Sequence, residues 1–165
     1  MARDTSENST YLEKALHHIF LGSILQYMWS KDLSLLEIYS SEVDNNGFDV
    51  ILSTETVTRY IQLKATNIHA SRSRVDVNIR LAKKNGGCLI WMFYDPFSLE
   101  ITEYLFFGGE IGKPFPNISQ FKTGQYTRIN ASGERPFRKN IKLIPKRYFE
   151  RIPNIALLVQ KLFNE

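Results

Sequence analysis

The sequence predicts an α+β fold, in which a mixed central β-sheet is flanked by helices. Three observations lead to this prediction. Apolar residues recur at helical spacing near the start of the chain, strand-like runs fill most of the region between residues 33 and 109, and a second helical pattern ends the chain. A length of 165 residues is enough for one domain with its own core, so we expect a single domain over residues 1–165.

The first third of the chain predicts a helix followed by three strands. Ser9 or Thr10 is a suitable N-cap for a helix that ends near Trp29, and residues 1–8 are expected to be frayed. Strands are predicted at 33–43, 48–52 and 58–65. The segments DNNG (44–47) and STETV (53–57) are predicted to form the turns between them.

The remaining elements are predicted from their hydrophobic patterns. Residues 72–87 are ambiguous, and we favour a strand that passes into a short helix before two glycines. CLIWMFYD (88–95) is typical of a strand buried on both faces, and residues 99–109 return as another strand. Residues 110–140 are expected to be a basic, loop-rich segment. Residues 146–163 are expected to form one or two closing helices, with Pro153 either interrupting them or starting the second.

Composition narrows the possible classes of protein. No apolar run is long enough for a membrane helix and MARDTSENST lacks a signal peptide's apolar segment, so we expect a cytoplasmic protein without membrane partners. The only cysteine is Cys88, which excludes an internal disulfide and a zinc site built from cysteines. Residues 1–56 contain 3 basic and 9 acidic residues, whereas residues 57–165 contain 18 and 8. This asymmetry suits either a metal site beside a polyanion-binding surface or an ordinary solvated surface.

The hairpin GFDVILSTETVTRYIQLKAT (47–66) carries the candidate chemistry. Side chains alternate along strands, so Phe48, Val50 and Leu52 are predicted to share one face. Asp49 is predicted to share the other face with Gln62 and Lys64 of the partner strand. Carboxylate and amide oxygens are suitable ligands for Mg²⁺, and the backbone carbonyl of Leu63 is a further candidate ligand. Lys64 would then orient or help to deprotonate the attacking water, or neutralise transition-state charge. The simpler interpretation is a polar face in contact with water.

An acid on one strand followed by a Q-x-K segment on the next resembles the PD-(D/E)XK nuclease superfamily. The order of elements over residues 10–107 is also similar, and Gln62-Leu63-Lys64 resembles the Q-x-K variant found in small stand-alone bacterial domains. This resemblance implies a restriction-endonuclease-like fold and a nuclease dependent on Mg²⁺ or Mn²⁺. It implies metal ligation by Asp49, Gln62 and the Leu63 carbonyl, and catalysis by Lys64.

The resemblance also implies a supporting glutamate on the first helix, and Glu13 matches that position best. Phe48 stands where the family commonly has proline, and Gln62 stands where it commonly has an acid. The second difference removes a negative ligand and is expected to weaken Mg²⁺ binding. Either Asp44 or Glu42 compensates, or the substrate phosphate brings the metal, or the site is inactive.

Basic residues after the motif are candidates for binding a nucleic-acid backbone. His17 and His18 are neighbours on a helix and point about 100° apart, so they are not predicted to form a metal pair. His69 is expected to be exposed or structural, and the alternative is that it contacts a phosphate or assists proton transfer. The nucleic-acid-binding candidates are Arg72, Arg74, Lys83, Lys84, Arg138 and Lys139.

The sequence therefore predicts a metal-dependent nuclease that hydrolyses nucleic-acid phosphodiester bonds, with DNA as the favoured substrate. The alternative is an inactive module of the same fold that binds nucleic acid or a protein partner through a basic face. A homodimer is compatible with both interpretations.

Overall fold

The computed structural model describes residues 8–40 and 47–165. Its helices are α1 (Ser9–Ser30) and α2 (Ile155–Phe163), with short 3₁₀ helices at Leu81–Lys83 and Lys146–Tyr148. Its strands are β1 (Glu37–Ser40), β2 (Val50–Ser53), β3 (Thr58–Asn67), β4 (Arg74–Asn78), β5 (Gly87–Tyr94), β6 (Ile101–Gly108), β7 (Thr123–Gln125), β8 (Phe137–Pro145) and β9 (Glu150–Ile152).

The strands form two sheets. The larger sheet has the order β1–β2–β3–β5–β6–β9, and within it only β3 and β5 are parallel. The chain passes from β3 to β5 through β4 and the first 3₁₀ helix, as a parallel pair requires a crossover. Strands β4, β8 and β7 form the smaller antiparallel sheet. The predicted α+β class and mixed sheet are confirmed.

Strand β5 separates two hydrophobic clusters. Cys88, Ile90 and Met92 face a cluster that contains the buried sides of α1 and α2. Leu89 and Trp91 face the second cluster, which lies between the larger and the smaller sheet. All eight residues of β5 are buried, so the prediction of a strand buried on both faces is confirmed.

Several predicted details require correction. Helices were expected to flank the sheet, and both helices pack into the first cluster, whereas the small sheet, which was not predicted, covers the other face. The N-cap of α1 is Asn8, not Ser9 or Thr10. Part of the predicted closing helix, Glu150–Ile152, is instead an edge strand paired with β6, and Asn154 then caps α2 through the Leu157 amide.

Two further regions differ from prediction in detail. The segment 110–140 is mostly loop, as expected of a loop-rich segment, but it also contains β7 and the start of β8, which were not predicted. The first described strand begins at Glu37, four residues later than predicted. Residues 1–7 and 41–46, which include the alternative acids Glu42 and Asp44 and most of the DNNG turn, lie outside the described residues.

Candidate active site

The site begins where β3 extends beyond β2. The ladder between them ends at the pair Val50 and Ile61, whereas β3 continues to Asn67. The Asp49 amide donates to the Ile61 carbonyl at 2.8 Å, and one Asp49 carboxylate oxygen accepts from the Leu63 amide at 2.6 Å. The Asp49 side chain thus takes the place of the next ladder partner. Because a residue's N–H and C=O point to the same side of a strand, the Leu63 carbonyl faces the same open edge.

Gly47 fixes the approach of the chain to Asp49. It has a φ of +79°, which is unfavourable for residues with a side chain. A Cβ atom at this position would lie 3.0 Å from the Leu81 amide nitrogen and 3.1 Å from the Asn78 side chain. Phe48 then packs edge-on against Tyr60, with ring centroids 5.3 Å apart. Phe48 belongs to the second cluster, so the prediction that it shares a face with Val50 and Leu52 is wrong.

A cleft of about 710 Å³ lies between the N-terminal half of α1 and this edge of β3. Glu13 and His17 line it from α1, and Asp49 and Lys64 line it from the hairpin. Leu63 and Arg72 also line it. The structure therefore places Asp49, Leu63, Lys64 and Glu13, which are distant in sequence, around one cavity.

Gln62 occupies a different environment. Its side chain is only 7% exposed, and its amide oxygen accepts from the Asn78 backbone amide at 3.2 Å. This bond directs the Gln62 oxygen towards β4, and Gln62 does not line the cleft that contains Asp49 and Lys64. The amide oxygen has a second lone pair, so the bond to Asn78 does not exhaust its capacity to accept.

His17 is one of the cleft residues that were not predicted to belong to the site. Its Nε2 atom is buried and has no hydrogen-bond partner among the described residues. Burial lowers the pKa of His17 and the nearby His18 adds to this effect, while the negative charges of Asp49 and Glu13 oppose it. The imidazole is therefore neutral at pH 7. Its position four residues after Glu13, on the same side of α1, was the signal available in the sequence.

Few side chains of the cleft have the chemistry of a metal ligand. Among the described residues, no three His, Cys, Asp or Glu side chains are grouped so that they could hold a metal ion. The oxygen donors of the predicted site residues are the Asp49 and Glu13 carboxylates and the Leu63 backbone carbonyl. Such a set suits Mg²⁺, which keeps several waters and is commonly bound by one or two carboxylates together with substrate phosphate.

The predicted nucleic-acid-binding residues are dispersed. Arg72 lines the cleft, whereas Arg138 is engaged by Asp76 in an ion pair of 2.7 Å. Lys84 is half-buried, and its ammonium lies 5.3 Å from the centre of the Tyr60 ring. The remaining candidates are exposed, and they are Arg74, Lys83 and Lys139.

Comparison with known proteins adds no family assignment. No protein-family model matches the chain, and no curated protein matches it at a significant level. Within residues 8–40 and 47–165, neither helix has the length and apolar character needed to cross a membrane.

Proposed function

We propose that the protein is a metal-dependent nuclease that hydrolyses phosphodiester bonds of nucleic acid, with DNA as the favoured substrate. The observation that carries this proposal is the convergence of Asp49, Lys64 and Glu13 on one cleft at the open edge of β3. An acid and a lysine placed together in this way suit the binding and cleavage of a phosphodiester.

Asp49 is the proposed principal metal ligand. Its carboxylate accepts from the Leu63 amide at 2.6 Å, and this bond orients the side chain at the edge of the cleft. The Leu63 carbonyl would supply a second oxygen, and Glu13 would hold metal-bound water from the opposite wall. A bound Mg²⁺ or Mn²⁺ supplies Lewis-acid polarisation of the phosphate and lowers the pKa of a coordinated water.

Lys64 is the proposed catalytic residue. Its ammonium would contact the non-bridging oxygens of the phosphate and stabilise the charge that develops as the scissile P–O bond breaks. Arg72, from the adjoining wall, would hold the flanking backbone. The neutral imidazole of His17 would hydrogen-bond to water within the cleft through its unpaired Nε2.

A specific observation favours a second candidate, an inactive module of this fold that binds nucleic acid. Gln62, the residue at the usual acidic position of the motif, is engaged by the β4 backbone and does not line the cleft. Asp49 and Glu13 are the only carboxylates of the described residues that line the cleft. If Gln62 is purely structural, it adds no metal ligand to these two. The affinity of the cleft for metal separates this candidate from the first.

The test is cleavage of plasmid, single-stranded DNA, junction DNA and RNA with Mg²⁺ or Mn²⁺. The informative variants are Asp49→Asn, which keeps an acceptor for the Leu63 amide, and Lys64→Met, which keeps the aliphatic stem. Each is expected to lower the cleavage rate at least about 100-fold, as removal of one transition-state contact does. Lys113→Met, at an exposed lysine outside the cleft, is the matched control and should cleave like the wild type.

Metal titration by calorimetry distinguishes the two candidates. A nuclease should bind Mg²⁺ or Mn²⁺ with heat that Asp49→Asn removes. Wild-type protein that neither cleaves any substrate nor binds either ion would contradict the nuclease proposal and favour the inactive module.

A further inference from the structure

A second pocket lies next to the candidate active site. It occupies about 460 Å³ between the loop that follows β3 and the corner where β8 ends. The two segments are fixed to each other, because the Lys146 amide donates to the Ser73 carbonyl at 2.8 Å and Arg74 pairs with Pro145 in the β4–β8 ladder. The pocket is thus held by the smaller sheet, to which β4 and β8 belong.

The lining of this pocket is cationic. Arg72, Lys146 and Arg147 contribute three positive charges, and Ser71 and Ser73 contribute hydroxyl groups. None of its lining residues is an Asp or Glu. Within the described part of the chain, ion pairs involve Arg138, Arg151 and Lys161 and none of the three cations of the pocket. Their charge is therefore available to an anion.

Aromatic rings hold two of these cations without neutralising them. The Lys146 ammonium lies 4.3 Å from the centre of the Phe93 ring, and the Arg147 guanidinium lies 5.1 Å from the centre of the Tyr148 ring. Such contacts restrict a flexible side chain and leave its N–H donors free for another partner. Guanidinium and ammonium donors together with hydroxyls match the several oxygens of a phosphate group.

Arg72 lines both this pocket and the candidate active cleft. We propose that the pocket binds a backbone phosphate of the same nucleic-acid strand whose scissile phosphodiester occupies the cleft, with Arg72 spanning the two positions. The identity of the ligand rests on the proposed function. Lys146 and Arg147 are binding residues in this arrangement, because they contact the substrate away from the bond that is cleaved.

The test is binding of labelled single-stranded and duplex oligonucleotides over a range of salt concentrations, in EDTA so that no cleavage occurs. The pocket variant is Lys146→Gln with Arg147→Gln. Its control is Arg128→Gln with Arg135→Gln, which removes the same charge from the β7–β8 loop, at the other end of β8. The slope of log K against log salt should fall by about 0.7 to 0.9 for each lost phosphate contact in the pocket variant, and by less in the control.

Equal effects of the two double variants would overturn the pocket and indicate a diffuse basic surface. A pocket variant that loses calorimetric binding of inorganic phosphate, yet binds oligonucleotides like the wild type, would overturn it in favour of a small-anion site.

Cleavage by wild type together with unchanged oligonucleotide binding by the pocket variant would defeat the pocket proposal and leave the nuclease proposal standing. Pocket-dependent binding by a wild-type protein that neither cleaves any substrate nor binds Mg²⁺ or Mn²⁺ upholds the pocket and defeats the nuclease. Thermal melting of every variant excludes misfolding as the cause.

Discussion

At the scale of single residues, Gln62 has a structural task that can be measured. Its side-chain oxygen accepts from the half-buried Asn78 backbone amide, so Gln62→Met should leave that donor unsatisfied. We expect the free energy of unfolding to fall by about 1–3 kcal/mol, measured by urea denaturation. Gln26→Met, at an exposed position on α1, should change it by less than about 0.5 kcal/mol. Equal stabilities of the two variants would show that the Gln62 bond contributes little.

Cys88 provides a residue-scale prediction about reactivity. Burial raises the pKa of its thiol from 9.0 to about 12, with nearby Arg59 acting in the opposite direction. The native protein should therefore not react with a thiol reagent at pH 8, whereas the protein unfolded in guanidinium should react at once. Rapid reaction of the native protein would show that β5 opens to solvent.

The same shift has a consequence for stability at high pH. The unfolded thiol ionises near its ordinary pKa, while the folded thiol stays protonated up to about pH 12. The contribution of Cys88 is therefore complete below pH 9 and is lost as the pH rises from 9 towards 12. Urea midpoints measured across this range should decline, and the decline should be smaller in Cys88→Ala.

At the scale of elements, Arg59 joins β3 to the end of α2. Its side chain is fully buried and donates to the carbonyls of Leu162, Gly109 and Lys161 at 2.8, 2.9 and 3.2 Å. Two of these carbonyls belong to the last turn of α2, where a positive charge is favourable.

Arg59→Met should therefore lower the free energy of unfolding by more than about 2 kcal/mol, because three carbonyl acceptors lose a charged donor in two buried bonds and one part-buried bond. Arg151→Met removes an arginine that is paired with Glu103 on the surface, and it should cost less than about 1 kcal/mol. Chemical denaturation of both variants gives the comparison. A small effect of Arg59→Met would mean that water or a rearranged helix end replaces the guanidinium.

The sequence predicted elements where local pattern and burial agree. Helix α1, the β2–β3 hairpin and β5 were predicted close to their observed bounds, because helical spacing, strand alternation and a continuous apolar run are local signals. Strand β9 was missed because three residues at a sheet edge are defined by pairing with β6, which is a long-range contact. The small sheet was missed for the same reason.

The same distinction between local signals and long-range contacts applies to the candidate site. Alternation along β3 placed Lys64 and Leu63 correctly on the hairpin, but it could not show that Asp49 leaves the regular ladder to accept from the Leu63 amide. Nor could it show that β4 lies against Gln62, since that contact depends on how the small sheet docks. The position of His17 in the cleft depends on how α1 packs across β3, which no local pattern encodes.

At the scale of the whole molecule, the larger sheet lies between the two hydrophobic clusters, and its strand β5 contributes residues to both. Alternate β5 residues enter opposite clusters, so loss of either cluster would expose one side of a strand that is buried throughout. We therefore expect the two clusters to unfold together in a single transition.

Two probes can follow the clusters separately. Trp91 is fully buried in the second cluster, and Trp29 is 81% exposed, so Trp29→Phe leaves fluorescence that reports on the second cluster alone. Far-ultraviolet circular dichroism at helical wavelengths reports mainly on α1 and α2, which pack into the first cluster. In urea the two signals should give the same midpoint.

Ile24→Ala, in the first cluster, should lower both midpoints equally and reduce the free energy of unfolding by about 2–5 kcal/mol. A fluorescence midpoint unchanged by Ile24→Ala would show that the small sheet and its cluster unfold independently of the helical side.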